Sequence, residues 1–358
     1  MISFDRTDAN AFYKELRRRI DHYFESNDFS VKGNRKMLFK ATLFLSIYIL
    51  LYCFLLTGWY NGLWVFFGIW IGLGFVSMFA GLNIGHDAVH GAFSENRRVN
   101  FVMGHIFNFI GANDYMWDLI HNKVHHNFTN IDGHDLDINH TPLVRMSPHQ
   151  PLWFIHRYQH IYTFFLYALT TIEFAFAKDY YMFFRKKLGP LEVKHTSWQW
   201  LRLLFFKLLY YTLFLVLPTV LLDYSFWQVL LGFLMMHLVA GFILSIIFNT
   251  AHLVEDVDYP LPDDHGQMEH SWAIHQLYTT VNYATENWWV NFFFGGLNFQ
   301  VEHHLFPHIC HIHYPEIAPI VRQTCQEYGL PYFENPGFFQ NLRSHARHLR
   351  NLGRPASK

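Results

Sequence analysis

The chain has 358 residues, of which 15% are charged and 19% aromatic, and its net charge is −1. That composition excludes a soluble two-domain protein and a disordered or collagen-like chain, and the near-neutral charge offers nothing to a nucleic acid. The three cysteines, Cys53, Cys310 and Cys325, stand far apart, so neither a disulfide framework nor a cysteine zinc site is expected.

Residues 1–36 are charged and polar, without the pattern of a cleavable signal peptide. Phe12, Leu16, Ile20 and Phe24 recur every four residues, with Lys14, Arg17, Arg18, Arg19 and Asp21 on the other face. This predicts an amphipathic cytosolic helix, either lying on the inner membrane surface or covering a cytosolic cap. Ala41 to Gly85 then runs without one Asp, Glu, Lys or Arg, and Tyr224 to Val254 repeats the pattern. A helix needs about 20 apolar residues to cross a bilayer core roughly 30 Å thick. Four spans are therefore expected, at about 39–60, 62–84, 203–222 and 226–250. Ile161 to Ala177 is short and contains Glu173, and Trp288 to Leu297 is shorter, so both are read as interfacial or buried. The membrane domain is placed at 37–335, and 336–358 is read as a tail, solvated and partly frayed from Arg343 to Lys358.

Orientation follows from the loops. Residues 1–40 carry nine Lys plus Arg, 85–200 carry ten and 251–358 carry six, whereas Thr57 to Gly62 and Asp223 to Phe226 carry none. Four spans put every positive cluster on one side, expected to be cytoplasmic together with both termini. Arg202 and Lys207 fall near the start of the third span, where the Lys207 stem is expected to reach the headgroups.

Histidine is out of proportion, at 25 residues. Four groups stand out: His86 with His90, His121 with His125 and His126, Asn249 with His252, and Gln300 with His303 and His304. Positions three and four apart share a helix face, so several helices project nitrogen donors, all on the charged side of the membrane. Neutral imidazole suits iron, zinc, copper and nickel, and eight histidines suit two metals better than one. Asp87, Asp118, Asp135, Asp137, Glu255, Asp256 and Glu302 lie near these groups and are placed to orient some of the imidazoles; Asp132, Asp263 and Asp264 read as solvated loop acids. His105, His134, His140, His149, His156, His160, His195 and His265 lack a paired pattern and read as surface or loop residues. His237 is mid-span and expected to bond a neighbouring helix. His275 is ambiguous, with a supporting role open, and His308, His311 and His313 are read as local packing.

HDAVH at 86–90, HNKVHH at 121–126 and QVEHH at 300–304 together resemble the membrane-bound fatty acid desaturases, over roughly residues 12–335. The Gln300 start of the last box is similar to front-end desaturases, and the whole to bacterial linoleoyl-CoA desaturase-type chains. The resemblance implies an all-α membrane fold of four transmembrane helices with a helical cytosolic cap, in a bacterial inner membrane. It also implies a di-iron centre on which His86, His90, His121, His125, His126, His252, His303 and His304 are ligands, with Gln300 in a weaker ligand position and Asn249 as a water-mediated one. O2 is then the co-substrate and a fatty acyl chain, on CoA or lipid, the substrate. No His-Pro-Gly-Gly haem motif is present, so electrons are expected from a separate donor such as cytochrome b5 or ferredoxin. Trp288, Trp289, Phe292, Phe293 and Phe294 are read either as lining access to the site or as ordinary packing. A related membrane hydroxylase is the alternative within this chemistry. A metal transporter would need ligands inside the spans, where only His237 qualifies.

Overall fold

An uncharged run can become a membrane helix only where local signals start and stop it. Asn34 supplies the first such signal, its side chain accepting the Lys36 N–H, and Gly58, at φ 64°, ends the same helix. In the computed structural model, which describes residues 2–5, 11–139 and 141–355, α1 (Phe12–Ser26) leads into this helix, α2 (Arg35–Thr57). A short turn leads to α3 (Leu63–Val89). α4 follows over residues 114–128, α5 is Phe154–Ala168, α6 Thr170–Phe183, α7 Ser197–Leu221 and α8 Phe226–His252. Both α7 and α8 begin with capping boxes, Thr196 with Gln199 and Ser225 with Gln228. The cap adds α9 (Trp272–Thr279), α10 (Trp288–Phe293), α11 (Gln300–Leu305), α12 (Tyr314–Glu327) and α13 (Phe338–Leu352). β structure is confined to two small pairs: Lys187–Leu188 antiparallel to Leu191–Glu192, and Asn282–Tyr283 parallel to Glu334–Asn335.

Among the described residues four helices, α2, α3, α7 and α8, are long and apolar enough to cross a membrane, as expected. α3 and α8 are the buried pair; α2 and α7 flank them with most of their surface outward. Close approach of α3 and α8 depends on Gly74, because a Cβ there would lie 2.5 Å from the Met236 carbonyl oxygen. α5 and α6 are bent by 52° at their junction. That bend makes Ile161 to Ala177 a broken or re-entrant element rather than a straight span.

One open alternative is decided and two expectations change. The four apolar residues of α1 are all buried, against Ile317, Val321 and Cys325 of α12, and Arg19 reaches Glu327 of α12 at 2.5 Å. α1 is thus a covering helix, because its apolar stripe matches a protein groove. The presumed tail is helical to Leu352, with Asn341, Ser344, His345 and Leu349 buried; an amphipathic face finds a partner in α5 and α8, and residues 356–358 lie outside the described set. Lys207 does not reach the headgroups. It is buried and donates to Asp179 Oδ2 (2.7 Å) and to the carbonyls of Gly111 (2.8 Å) and Phe174 (2.6 Å). Three acceptors in one pocket outweigh snorkelling.

Candidate metal centre

The metal-ligand residue types arrive from four elements. His86 comes from the last turn of α3, and His90 follows at its C-terminus. His121, His125 and His126 come from α4, His252 is the last residue of α8, and Gln300, His303 and His304 come from α11. All are buried except His90, which is half-buried. The turn before α11 carries Gly295 at φ 63°, with the Leu82 carbonyl 2.5 Å from where a Cβ would be. That contact locks the last box against α3.

Two stretches of this set are π-helical: Gly81–Gly85 before His86, and Asp118–His125. In a π-turn the bond runs from residue i to i+5. The His126 N–H accordingly bonds the His121 carbonyl, and the Nε2 atoms of these two histidines lie 3.2 Å apart. Adjacent histidines thus serve one site, because the widened turn gives His121 a neighbour at i+5.

The nitrogens gather into connected groups. His86, His90, His121 and His303 have ligand atoms within 4.8 Å of one another, as do His125, His252 and His304; His126 joins His303 and His304 in a third group. His86 and His121 meet at 3.0 Å, and the His126 and His304 rings stack at 4.2 Å. Outer contacts fix several tautomers. His125 Nδ1–H donates to Asp135 Oδ2 (3.0 Å), His252 Nδ1–H to the Thr279 carbonyl (3.0 Å) and His304 Nδ1–H to Gln276 Oε1 (2.8 Å). Each leaves Nε2 facing inward. Gln300 Nε2 lies 2.8 Å from His252 Nε2.

The Nε2 atoms of His90, His125, His303 and His304, and Oε1 of Gln300, have no hydrogen-bond partner among the described residues. A buried polar atom left unmet costs about 1–3 kcal/mol, so the set opposes folding unless its members meet a common partner. Burial and neighbouring imidazoles hold the pKa of His90, His121, His126, His303 and His304 well below the ordinary value. They are neutral, the form that binds a metal. Burial pushes His125 down as well, but the Asp135 carboxylate prevails and raises it. Buried, neutral, mutually facing nitrogens fit two metal ions.

A cavity of about 450 Å³ adjoins these residues, lined by His121, His125 and His252 at one part and by Trp117, Leu166 and Phe248 among its apolar walls. Asn249 lines it too, with its Nδ2 spent on the Ser245 carbonyl.

The remaining candidate residues divide. Of the carboxylates, Asp135 orients a histidine of the set and Asp137 Oδ2 stands 3.6 Å from His125 Nδ1. Asp87 instead accepts from His311 (2.8 Å) and Cys310 (3.0 Å), and Glu302 from Asn282 (2.7 Å) and Tyr332 (2.8 Å). Asp118 pairs with Lys123, Glu255 with Arg347, and Asp256 is exposed. His237 bonds Tyr210 at 2.8 Å, as expected of a mid-span histidine. His275 is buried on the Thr129 carbonyl; its neighbour Gln276 has the supporting role, and only its adjacency to His275 signalled it. His156, read as a surface or loop residue, is buried with its ring on the Trp153 N–H and the Pro142 carbonyl, because the loop entering α5 has no other cap. His140 lies outside the described residues. None of Trp288, Trp289, Phe292, Phe293 or Phe294 lines the cavity. α10 turns Phe292 and Phe293 onto Phe44 and Phe79 instead and leaves both tryptophans exposed.

The fatty acid desaturase family model matches residues 61–336. The chain is 36% identical to the sn-1 linoleoyl-lipid 6-desaturase of Arthrospira platensis, over 95% of this chain and 92% of that protein. It is 34% identical to the Synechocystis enzyme of the same name, over 97% of each. An acyl-lipid (8-3)-desaturase of Physcomitrium patens is 35% identical over 96% of this chain and 72% of its own length.

Proposed function

The chain belongs to the fatty acid desaturase family, and from that premise we propose how its residues divide the work. It is a membrane oxidoreductase that introduces a double bond into a fatty acyl chain. We assign two iron ions to the histidine set. One would be held by His86, His90, His121 and His303, the other by His125, His252 and His304; His126 lies between them and Gln300 beside His252. The observation that carries this assignment is the group of inward, unpartnered imidazole nitrogens next to an apolar cavity. Bound iron supplies the O2-derived oxidising power needed to take two hydrogens from an unactivated methylene pair, which no side chain can supply.

The protein's own part is alignment and exclusion of water. Trp117, Leu166, Phe174 and Phe248 form apolar cavity walls that hold an extended acyl chain against His121, His125 and His252. Asp135 and Gln276 hold imidazoles in one tautomer through turnover. The Arthrospira and Physcomitrium relatives are named for lipid-bound acyl chains, so an acyl group esterified in a membrane lipid is the proposed substrate. We assign the site and both termini to the cytoplasmic face of a bacterial inner membrane, a reading supported by the positive charge of the loops. We assign the electron donor, a cytochrome b5 or ferredoxin, to a separate protein.

The test is expression in a bacterial host with a compatible reductase, fed with defined fatty acids. New double bonds are mapped by mass spectrometry in the lipid and thioester fractions, and iron is measured in the purified chain. A new double bond appearing first in the lipid fraction, with about two irons per chain, is expected. Stoichiometric zinc without iron overturns the metal assignment; first appearance in the thioester fraction overturns the substrate assignment.

A further inference from the structure

The cavity is not wholly apolar. Lys178 of α6 lines it, and its side chain is only 7% exposed. Its ammonium group donates no hydrogen bond among the described residues. The nearest carboxylate is Asp137 Oδ1 at 3.8 Å, and the Phe174 ring lies 4.8 Å away. Asp137 is also the carboxylate 3.6 Å from His125. A cation thus stands one carboxylate away from the metal-ligand set, inside the same cavity. Asp179, the next residue, does not occupy it, being taken by Lys207 at 2.7 Å. An ammonium taken out of water requires acceptors, and one long ion pair and a ring face leave donor N–H groups unspent.

Resting on the desaturase reading, we propose that Lys178 binds the carbonyl oxygen of the acyl substrate and so fixes which carbon pair lies against the histidine set. An acyl chain has one polar end, and an apolar channel alone lets it slide. A donor at a fixed distance from the metal site stops the slide and sets the count of methylenes between the carbonyl and the oxidised bond. An ester, a thioester and a free carboxylate all present such an oxygen. The competing role for Lys178 is as counter-ion, steadying Asp137 and through it His125.

The experiment compares wild type, Lys178→Met, Lys178→Arg and Asp137→Asn in host membranes, supplied with acyl glycerolipid, acyl-CoA or free acid. Iron content, KM, kcat and double-bond position are read for each. In Lys178→Met we expect iron unchanged, KM raised roughly tenfold and double bonds spread over neighbouring positions; Lys178→Arg, whose donor reaches further, gives a single position shifted from that of the wild type. The substrate form whose KM rises identifies the source of the oxygen. Wild-type KM and a single product position in Lys178→Met overturn the proposal, as does a pure kcat loss matched by Asp137→Asn, which marks the counter-ion role. If Lys178→Met loses its iron, Lys178→Arg decides: an altered product position in an iron-loaded Arg variant supports the anchor, and an unaltered KM and position in it counts against it. A wild-type chain that makes no double bond sinks the desaturase reading itself.

Discussion

Gln300 stands where a histidine could have stood, and its surroundings show how an amide functions there. It is fully buried, with one amide atom on His252 and the other unpartnered. A neutral carbonyl oxygen binds iron more weakly than imidazole does, but it can ligate directly or hold a water. Replacing Gln300 by Ala should cut turnover roughly ten- to a hundredfold while the protein remains folded in the membrane. Gln300→His should retain more iron than activity, since an imidazole pulls the metal differently. Wild-type turnover and unchanged iron content in the Ala variant would remove Gln300 from the site. The boxes were legible residue by residue because histidines repeatedly paired at helical spacing serve few purposes besides metal binding. Gln276 and Tyr314, which reach His304 (2.8 Å) and His303 (3.3 Å), were not. A single Gln or Tyr carries no periodic signal, and their proximity exists only after α9 and α12 have packed.

The elements that matter most are the irregular ones. The π-turn in α4 gives His126 to the same site as His121, a relation that sequence spacing by α-helical rules assigns to a different direction. Inserting an alanine after exposed Lys123 should carry His125 and His126 one position further round the helix and swing them away from His121. Such a chain should enter the membrane normally but keep less than about half the wild-type iron, whereas Lys123→Ala should match wild type; full iron in the insertion variant would show that the register set by the π-turn is dispensable. α13 offers a second case. His345 donates to the Leu253 carbonyl (2.6 Å) and meets Tyr167 (3.0 Å), and His348 meets Tyr259 (2.7 Å). Burial lowers His345 to about 4 and His348 to about 3. Unfolded histidine titrates near 6.5, so between that pH and the folded values the undocked helix binds more protons. Docking is therefore fully stable above about 6.5 and weakens as pH falls toward 4, by a few kcal/mol at most. Hydrogen exchange of residues 338–352 should speed up between pH 7.5 and 5, and less so in His345→Gln. A rate corrected for intrinsic exchange that does not change with pH would refute the helix-docking account. In sequence this helix resembles a basic tail, because a stripe that packs and a stripe that frays have the same composition.

At the scale of the whole molecule, the four-span frame was legible because charge-free runs of that length have no other use. Less legible was how the bent α5–α6 pair is tied to it. Lys207 of α7 holds Asp179 of α6 and the Phe174 and Gly111 carbonyls. Removing one partner strands the other charge, so Lys207→Met should cost about 3–5 kcal/mol and reduce the folded yield sharply. The double replacement Lys207→Met with Asp179→Leu should recover much of it; equal loss in both variants would mean that the carbonyl contacts, not the ion pair, dominate. The order of the ligands along the chain has a consequence for how the protein is made. His86 through His126 leave the ribosome with the first two spans, but His303 and His304 follow only after the other two. At roughly 5–20 residues per second, the early histidines wait some ten seconds or more for the late ones. During that interval five imidazoles stand uncompleted at the membrane surface, open to whichever soft divalent ion is most abundant. Metal loading of the proposed centre is accordingly expected late in biosynthesis, and the identity of the metal taken up should depend on the cell's metal supply at that moment as well as on the finished site.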